Sequence, residues 1–582
     1  MNVAEAVGAA LAALGVRAAF GVVGSGNFHV TNALVEHGVR YVAARHEGGA
    51  ATMADAYARM SGTVAVLTVH QGPGLTNALT GVTEAAKSRT PLLVLAPEVT
   101  SPTSNFRIDQ AALAEAVGAH CARVGSAATA VDDIVMAFLA ALLGRRTVVL
   151  NLPLDVQAET LPEEAAEAVR ELLAGRGGAH RDVASRVPAA WGLTFPIESG
   201  NDEEPEGLAA EPSDALTRFA RMLAEAERPV FVAGRGARGS RRELEALGER
   251  VGALFATSAV AKGHFHGSPW DLDVSGGFAT PLAAELIRDA DLVVGWGCSF
   301  TMWTTRHGAL IGPEARAVQV DLDPDALGVH REIDLGVVGD VRETARAVAA
   351  LLGEPGAEGE AGTRGYRAPE IAERIAREGR WRDVPYEDLS AGERIDPRTL
   401  TIGLDDLLPQ ERLVAVDSGN FMGYPSMFLT VPDGSAFCFT QAFQSIGLGL
   451  ATAIGAAVAR PDRLTVAALG DGGALMGVAE LETVVRLGLP MVVVVYDDDG
   501  YGAEVHHFGP HGFPLGAVTF PAADIARIAR GFGFEAVTVR REEDLSGVAE
   551  WLKGPRDKPL LVHAKVTADR PSWWLEEAFL GH

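Results

Sequence analysis

The feature that most restricts the fold is a set of short apolar runs without polar alternation. "VAVLTVH" (64–70), "PLLVLAP" (91–97) and "TVVLNLP" (147–153) come first. "RPVFVAG" (228–234), "ADLVVGWG" (290–297) and "AVQVDLD" (317–323) form a second group. "RLVAVDSG" (412–419), "LTVAALGDG" (464–472), "PMVVVVYDDD" (490–499) and "PLLVHAKV" (559–566) form a third. A strand with one face in water alternates apolar and polar residues, so an uninterrupted apolar run needs cover on both faces. Segments of helical period separate the runs, and helices that connect parallel strands supply that cover. The fold class expected is α/β, with three doubly wound parallel-sheet domains. At 582 residues the chain exceeds one core and suits three units. Two polar stretches rich in Gly, Pro and acids mark the breaks. The expected division is 1–165, a linker over 166–212, a central Rossmann-like unit over 213–353, a linker over 354–395, and a C-terminal unit over 396–582 with a closing tail.

Net charge is −26, from 76 acids against 50 bases, which argues against nonspecific binding to nucleic acid or to an anionic membrane. Cys121, Cys298 and Cys438 are far apart and odd in number, so they make neither a disulfide framework nor a zinc spacing. A reducing cytoplasm fits. The opening residues lack a basic region, carry Glu5 and read as an amphipathic helix. No apolar run reaches the roughly 18 residues of a membrane span.

Ligands of doubly wound sheets sit outside the carboxyl ends of strands. Two such ends in the third block carry acids: "LGDGGALMG", with Asp471, and "VVVVYDDDGYGAEVHH", with Asp497, Asp498 and Asp499. Asp471 and Asp498 are 27 positions apart, one strand–helix–strand unit, which puts the two ends side by side. The small residues Gly472, Gly473 and Ala474 let backbone N–H groups approach a phosphate. Two carboxylates and phosphate oxygens suit Mg²⁺.

GDG followed at this spacing by Asn or Asp and a Gly resembles the thiamine diphosphate motif. Over nearly its full length the chain resembles the superfamily of acetolactate synthase, pyruvate decarboxylase and benzoylformate decarboxylase. The resemblance implies Asp471, Asp498 and the carbonyl of Gly500 as Mg²⁺ ligands, with Tyr501 beside the cofactor. Relatives usually have Asn-Asn where this chain has Asp497-Asp498, which keeps an oxygen ligand but adds charge beside a diphosphate. Gly419 and Asn420 in "VDSGNF" match a loop near the diphosphate, and Ile446 in "FTQAFQSIGLGLATAIGAA" matches the residue that wedges the cofactor into its V shape. In "RHEGGAATMADAYARMSG", Glu47 opens a helix. An acid there complements the helix dipole; the resemblance makes it the glutamate that bonds the aminopyrimidine and promotes loss of the C2 proton. In relatives the cofactor bridges these two block types from different subunits, which implies at least a homodimer and often a tetramer.

The class acts on 2-oxo acids: CO₂ leaves, and the enamine is protonated or attacks a carbonyl. Glu504 matches a catalytic glutamate of pyruvate decarboxylase-like enzymes. His70 in "LTVHQGPGLTNA" matches a catalytic histidine of benzoylformate decarboxylase-like enzymes, and Ser25 in "FGVVGSGN" a serine that holds the substrate carboxylate. The paired histidines of pyruvate decarboxylases are missing; "SNFRIDQAALAEAV" stands there, with Gln110 resembling a glutamine that carboligases and lyases place near substrate. His506 and His507 follow the metal loop and either reach a substrate or face solvent. The first reading is an acetolactate synthase-like carboligase or lyase. The alternative is a non-oxidative 2-oxo acid decarboxylase, and the third is a non-catalytic thiamine diphosphate-binding protein, against which Glu47 speaks. FAD is not expected in the second block, because no arginine-bearing segment of FAD-binding members is recognisable at "CSFTMW", although the glycine-rich "VAGRGARGS" leaves it open. The tail "DRPSWWLEEAFLGH" is either a docked helix or a lid.

Overall fold

The computed structural model describes residues 1–175, 214–353 and 365–578, with side chains to 575 in the last segment. Most of the first expected linker, the start of the second, and Phe579 of the tail lie outside the described residues.

The apolar runs form three sheets of six parallel strands each. The first contains β1 (Ala18–Gly21), β2 (Arg40–Ala43), β3 (Ala65–Thr68), β4 (Leu92–Glu98), β5 (His120–Arg123) and β6 (Thr147–Pro153), in the order β2-β1-β3-β4-β6-β5. The central sheet contains β7 (Pro229–Ala233), β8 (Leu254–Thr257), β9 (Asp271–Val274), β10 (Leu292–Trp296), β11 (Arg316–Asp321) and β12 (Leu335–Val338), in the order β12-β11-β10-β7-β8-β9. The third contains β13 (Arg412–Val416), β14 (Phe437–Phe439), β15 (Leu464–Gly470), β16 (Met491–Asp497), β17 (Glu535–Val539) and β18 (Leu560–Lys565), in the order β14-β13-β15-β16-β18-β17. The first and third orders are the same winding.

β16 shows why the runs are apolar throughout. All seven of its residues are buried, and it pairs with β15 on one side and β18 on the other. Register sets Gly470 opposite Tyr496, so the two acid-bearing strand ends meet at one rim.

The first and third domains share one continuous core, in which Met53 and Ala54 pack with Ile454 and Val493. Helix Glu47–Ser61 lies against helix Gly449–Ala459, and a Cβ on Gly455 would run into the Met53 backbone. Small side chains let the two helices approach at this closeness.

Two expectations change. The opening helix Val3–Ala13 is not amphipathic: of residues 3–11 only Glu5 is exposed. The cause is helix Glu163–Ala174, which buries Val169 in the same cluster as Val3, Val7 and Leu11 and covers a face that sequence left to solvent. The break placed at 166 therefore falls inside that helix. Within the second break, helix Pro369–Glu378 buries Ile375 against the central domain, and Tyr366 donates to the Leu286 carbonyl at 3.0 Å.

Candidate active site

The carboxyl ends of β2, β1 and β3 lie side by side and carry the first group of residues. Glu47 begins its helix just after β2, where His46 caps the turn by accepting the Gly48 N–H at 3.0 Å. Glu47 is half-buried, and Asn77 donates to its Oε2 at 3.1 Å. Ser25 is exposed in the loop after β1. His70, just past β3, sits edge-on to Phe106 with ring centroids 5.4 Å apart, and its Nδ1 lies 3.5 Å from the Gly26 N–H. The fold thus brings Ser25, Glu47 and His70 to neighbouring strand ends. Gln110 is placed differently: it is 4% exposed, turned into the domain, and donates to Asn151 at 2.8 Å.

The second group surrounds the ends of β15 and β16. Asp471 opens the short helix Asp471–Met476 and is buried. Burial, then the charges of Asp498 and Asp497, push its carboxyl up to about 8. Burial also raises Asp498 to about 6, against a hydrogen bond from Asn420, whose Nδ2 lies 3.5 Å from Oδ2. Asp497 and Asp499 have partners of their own. Burial would raise Asp497, but His563 Nε2 at 2.5 Å and Lys565 Nζ at 2.9 Å bring it down to about 2. Lys565 also donates to Asp499 at 2.6 Å, and Arg394 pairs with the other oxygen. Asp471 and Asp498 remain two crowded carboxylates that form no ion pair among the described residues, the electrostatic condition that a divalent cation relieves.

The backbone around them is a glycine cradle. A Cβ on Gly472 would lie 2.5 Å from Tyr501 Cε1, one on Gly473 would strike Asp417, and one on Gly502 would strike Asp498. Ala474 is buried beneath the same turn. Gly500 bridges to Thr519, and the Tyr501 N–H donates to the Val518 carbonyl at 2.8 Å, which fixes the loop past the acids. Gly419, at φ 135°, starts the turn that presents Asn420. Ile446 is half-buried and precedes Gly447, whose φ of 85° brings it against Met476. Glu504 lies half-buried in helix Gly502–Phe508. His506 is half-buried with Nε2 unpartnered, and His507 packs on Phe508 and His511. A cavity of about 300 Å³ opens here; it is lined by residues between Asp471 and Ile525, none from the first domain. Among the described residues no group of three or more His, Cys, Asp or Glu is arranged around a metal position. Two carboxylates suffice for Mg²⁺ that also takes phosphate and water oxygens.

Three family models match in the order of the three sheets. They are the thiamine pyrophosphate enzyme N-terminal TPP binding domain over residues 1–118, the central domain over 216–348, and the C-terminal TPP binding domain over 417–564. The chain belongs to the thiamine diphosphate-dependent enzyme superfamily. A sulfoacetaldehyde acetyltransferase of Castellaniella defragrans is 28% identical over 571 residues, covering 94% of this chain and 89% of that protein. Acetolactate synthase isozyme 2 large subunit of Escherichia coli is 26% identical over 590 residues, covering 98% and 97%. The fold matches that of a thiamine diphosphate-dependent 4-hydroxybenzoylformate decarboxylase from Rhodococcus jostii, with a TM-score of 0.75, 21% identity, and 97% and 99% of the two chains covered. Among the described residues of this thiamine diphosphate enzyme no helix is long and apolar enough to cross a membrane.

Sequence reasoning missed several residues that shape this superfamily member's site. Asp417 is fully buried and accepts the N–H groups of Ser418, Gly447 and Leu448, which anchors the Ile446 loop. Burial pushes its carboxyl up to about 6 against those bonds. It lies two positions before Gly419 at a strand end, which was the available signal. Asn77, Lys565 and His563 gave none, because their roles depend on contacts distant in sequence.

The tail takes the docked arrangement. Trp574 and Leu575 are buried, Ser572 donates to the Asn420 carbonyl at 2.6 Å, and Trp574 Nε1 donates to the same oxygen at 3.0 Å.

Proposed function

We propose that this protein is a thiamine diphosphate- and Mg²⁺-dependent enzyme that decarboxylates a 2-oxo acid and transfers the remaining fragment to a carbonyl acceptor. The observation that carries the reading is the pair of raised, crowded carboxylates Asp471 and Asp498 beside a glycine cradle. In this reading the two carboxylates and the Gly500 carbonyl would hold Mg²⁺, Gly419, Asn420, Gly472, Gly473, Ala474 and Tyr501 would receive the diphosphate, and Ile446 would pack against the cofactor. The bound cofactor supplies the electron sink for loss of CO₂.

The chain's own groups supply orientation and proton traffic. Asn77 orients Glu47, which holds the proton at its carboxyl that activates the cofactor. Ser25 binds the substrate carboxylate through its hydroxyl, and His70 and Glu504 donate or hold protons near the reacting carbon. Gln110, turned into the domain against the buried Asn151, is left out of the substrate-facing set. Transfer to an acceptor is supported by the acetyltransferase and acetolactate synthase among the relatives. The Ser25–His70 arrangement favours a second reading, in which a proton takes the acceptor's place and an aldehyde is released.

In this reading the first-domain residues of one copy and the diphosphate corner of another complete each site, so the unit is a homodimer or a pair of them; that no first-domain residue lines the Asp471 cavity supports it. The three units 1–165, 213–353 and 396–582 are the proposed domains, and the cytoplasm the proposed location.

The test supplies thiamine diphosphate and Mg²⁺ with a panel of 2-oxo acids, follows CO₂, and identifies the product by mass. CO₂ with a hydroxyketone or acyl-transfer product is expected. CO₂ with free aldehyde would select the decarboxylase reading, and no turnover of any 2-oxo acid would refute both.

A further inference from the structure

Two buried glutamates cross the interface between the first and third domains in opposite directions. Glu480, 3% exposed at the start of the third-domain helix Glu480–Arg486, reaches the turn that ends β2. Its Oε1 accepts the N–H groups of Arg45 at 2.9 Å and His46 at 3.1 Å, immediately before Glu47. Its Oε2 accepts the Thr483 hydroxyl at 2.6 Å, which fixes the carboxylate's orientation. The same helix grips the turn twice more: Glu482 pairs with Arg45, and Arg486 donates to the Ala43 carbonyl. Glu84, fully buried in the first domain, does the converse. Its two oxygens accept the N–H groups of Ala442 at 3.0 Å and Phe443 at 2.6 Å, in the loop that leads to Ile446. Arg59 and Ser88 hold Glu84 in place at 2.8 and 3.2 Å.

A buried carboxylate facing two consecutive backbone N–H groups sets the position of that backbone closely, because loss of either bond leaves a desolvated donor. We propose that Glu480 and Glu84 are reciprocal positioning residues, each holding the other domain's cofactor-contacting segment. Glu480 sets the turn from which Glu47 projects, and Glu84 sets the loop from which Ile446 projects. The inference rests on the cofactor reading above. It gives each clamp a separate signature, since Glu47 serves proton transfer and Ile446 serves cofactor seating.

The experiment measures, on the full chain with thiamine diphosphate and Mg²⁺, the hydrogen–deuterium exchange rate at the cofactor's C2 and the cofactor Kd. Glu480→Gln should slow exchange on bound cofactor about tenfold while changing Kd less than about threefold. Gly49→Ala is a second route to the same displacement that keeps the carboxylate, because its methyl would come within 2.6 Å of Glu480 Oε1. It should slow exchange in the same sense. Glu84→Gln should show the opposite pattern, with Kd raised about tenfold and exchange per bound cofactor within about threefold. Wild-type exchange in both Glu480→Gln and Gly49→Ala, or one shared profile for Glu480→Gln and Glu84→Gln, would overturn the proposal. A wild-type protein that binds no cofactor would instead overturn the reading beneath it, and the clamps with it.

Discussion

The first and third sheets share one strand order, yet their carboxyl ends hold opposite chemistry. At the ends of β1, β2 and β3 the first rim carries the acid Glu47 among Ser25, His70 and glycines, while Glu98 at the end of β4 pairs with Arg123. The third carries four acids at the ends of β15 and β16 alone, two of them paired to Lys565, His563 and Arg394 and two in no ion pair among the described residues. The same winding thus serves a proton-handling rim in one domain and a cation-and-phosphate rim in the other. Winding decides where a site can lie, and the few residues beyond each strand decide what it does.

The comparison is broken most severely by removing Glu47 from the first rim. Glu47→Gln should reduce turnover at least about a thousandfold while cofactor affinity stays within about tenfold, measured by steady-state kinetics and titration. Asp498→Ala should do the reverse, weakening Mg²⁺-dependent cofactor binding on the order of a hundredfold or more in a calorimetric titration. Unchanged affinity there would remove the metal assignment. The third rim should also make the cofactor-free protein pH-sensitive. Asp471 and Asp498 are raised in the folded state, so their stability is present below about pH 4 and lost as pH rises through about 6 to 8. The cofactor-free melting temperature should fall by a few degrees between pH 5.5 and 8.5, and Mg²⁺ with thiamine diphosphate should remove the fall. Asp497→Asn removes one carboxylate charge from this rim while keeping an oxygen and the side-chain shape. Because Lys565 already neutralises Asp497, cofactor affinity should change by no more than about threefold. Smallest of all, Ser572→Ala should cost about 1 kcal/mol in denaturant unfolding, from the lost bonds to Asn420.

The fold was legible where strands are buried on both faces. The four valines of β16 announce themselves, whereas β5, β9 and β17 are short or mixed in polarity and were not singled out. The opening helix was misread because its second cover comes from residues 163–174, some 150 positions away. At the site, Asp471 and Asp498 could be paired because one strand–helix–strand unit separates them. The partners that distinguish Asp497 from Asp498 could not, since Lys565 and Arg394 arrive from other strands and loops. Glu84 and Glu480 lie in ordinary helical sequence, and only the interface between domains shows what they hold.

The most direct test co-expresses Glu47→Gln chains with Asp498→Ala chains, each inactive alone, and measures turnover of the purified mixture. If each site joins the first rim of one copy to the third rim of another, half of the randomly assembled dimers contain one intact site. The mixture should then recover about a quarter of wild-type activity. If each chain built its own site from its own two rims, every site would carry a lesion. A mixture of confirmed mixed dimers as inactive as its components would contradict the account.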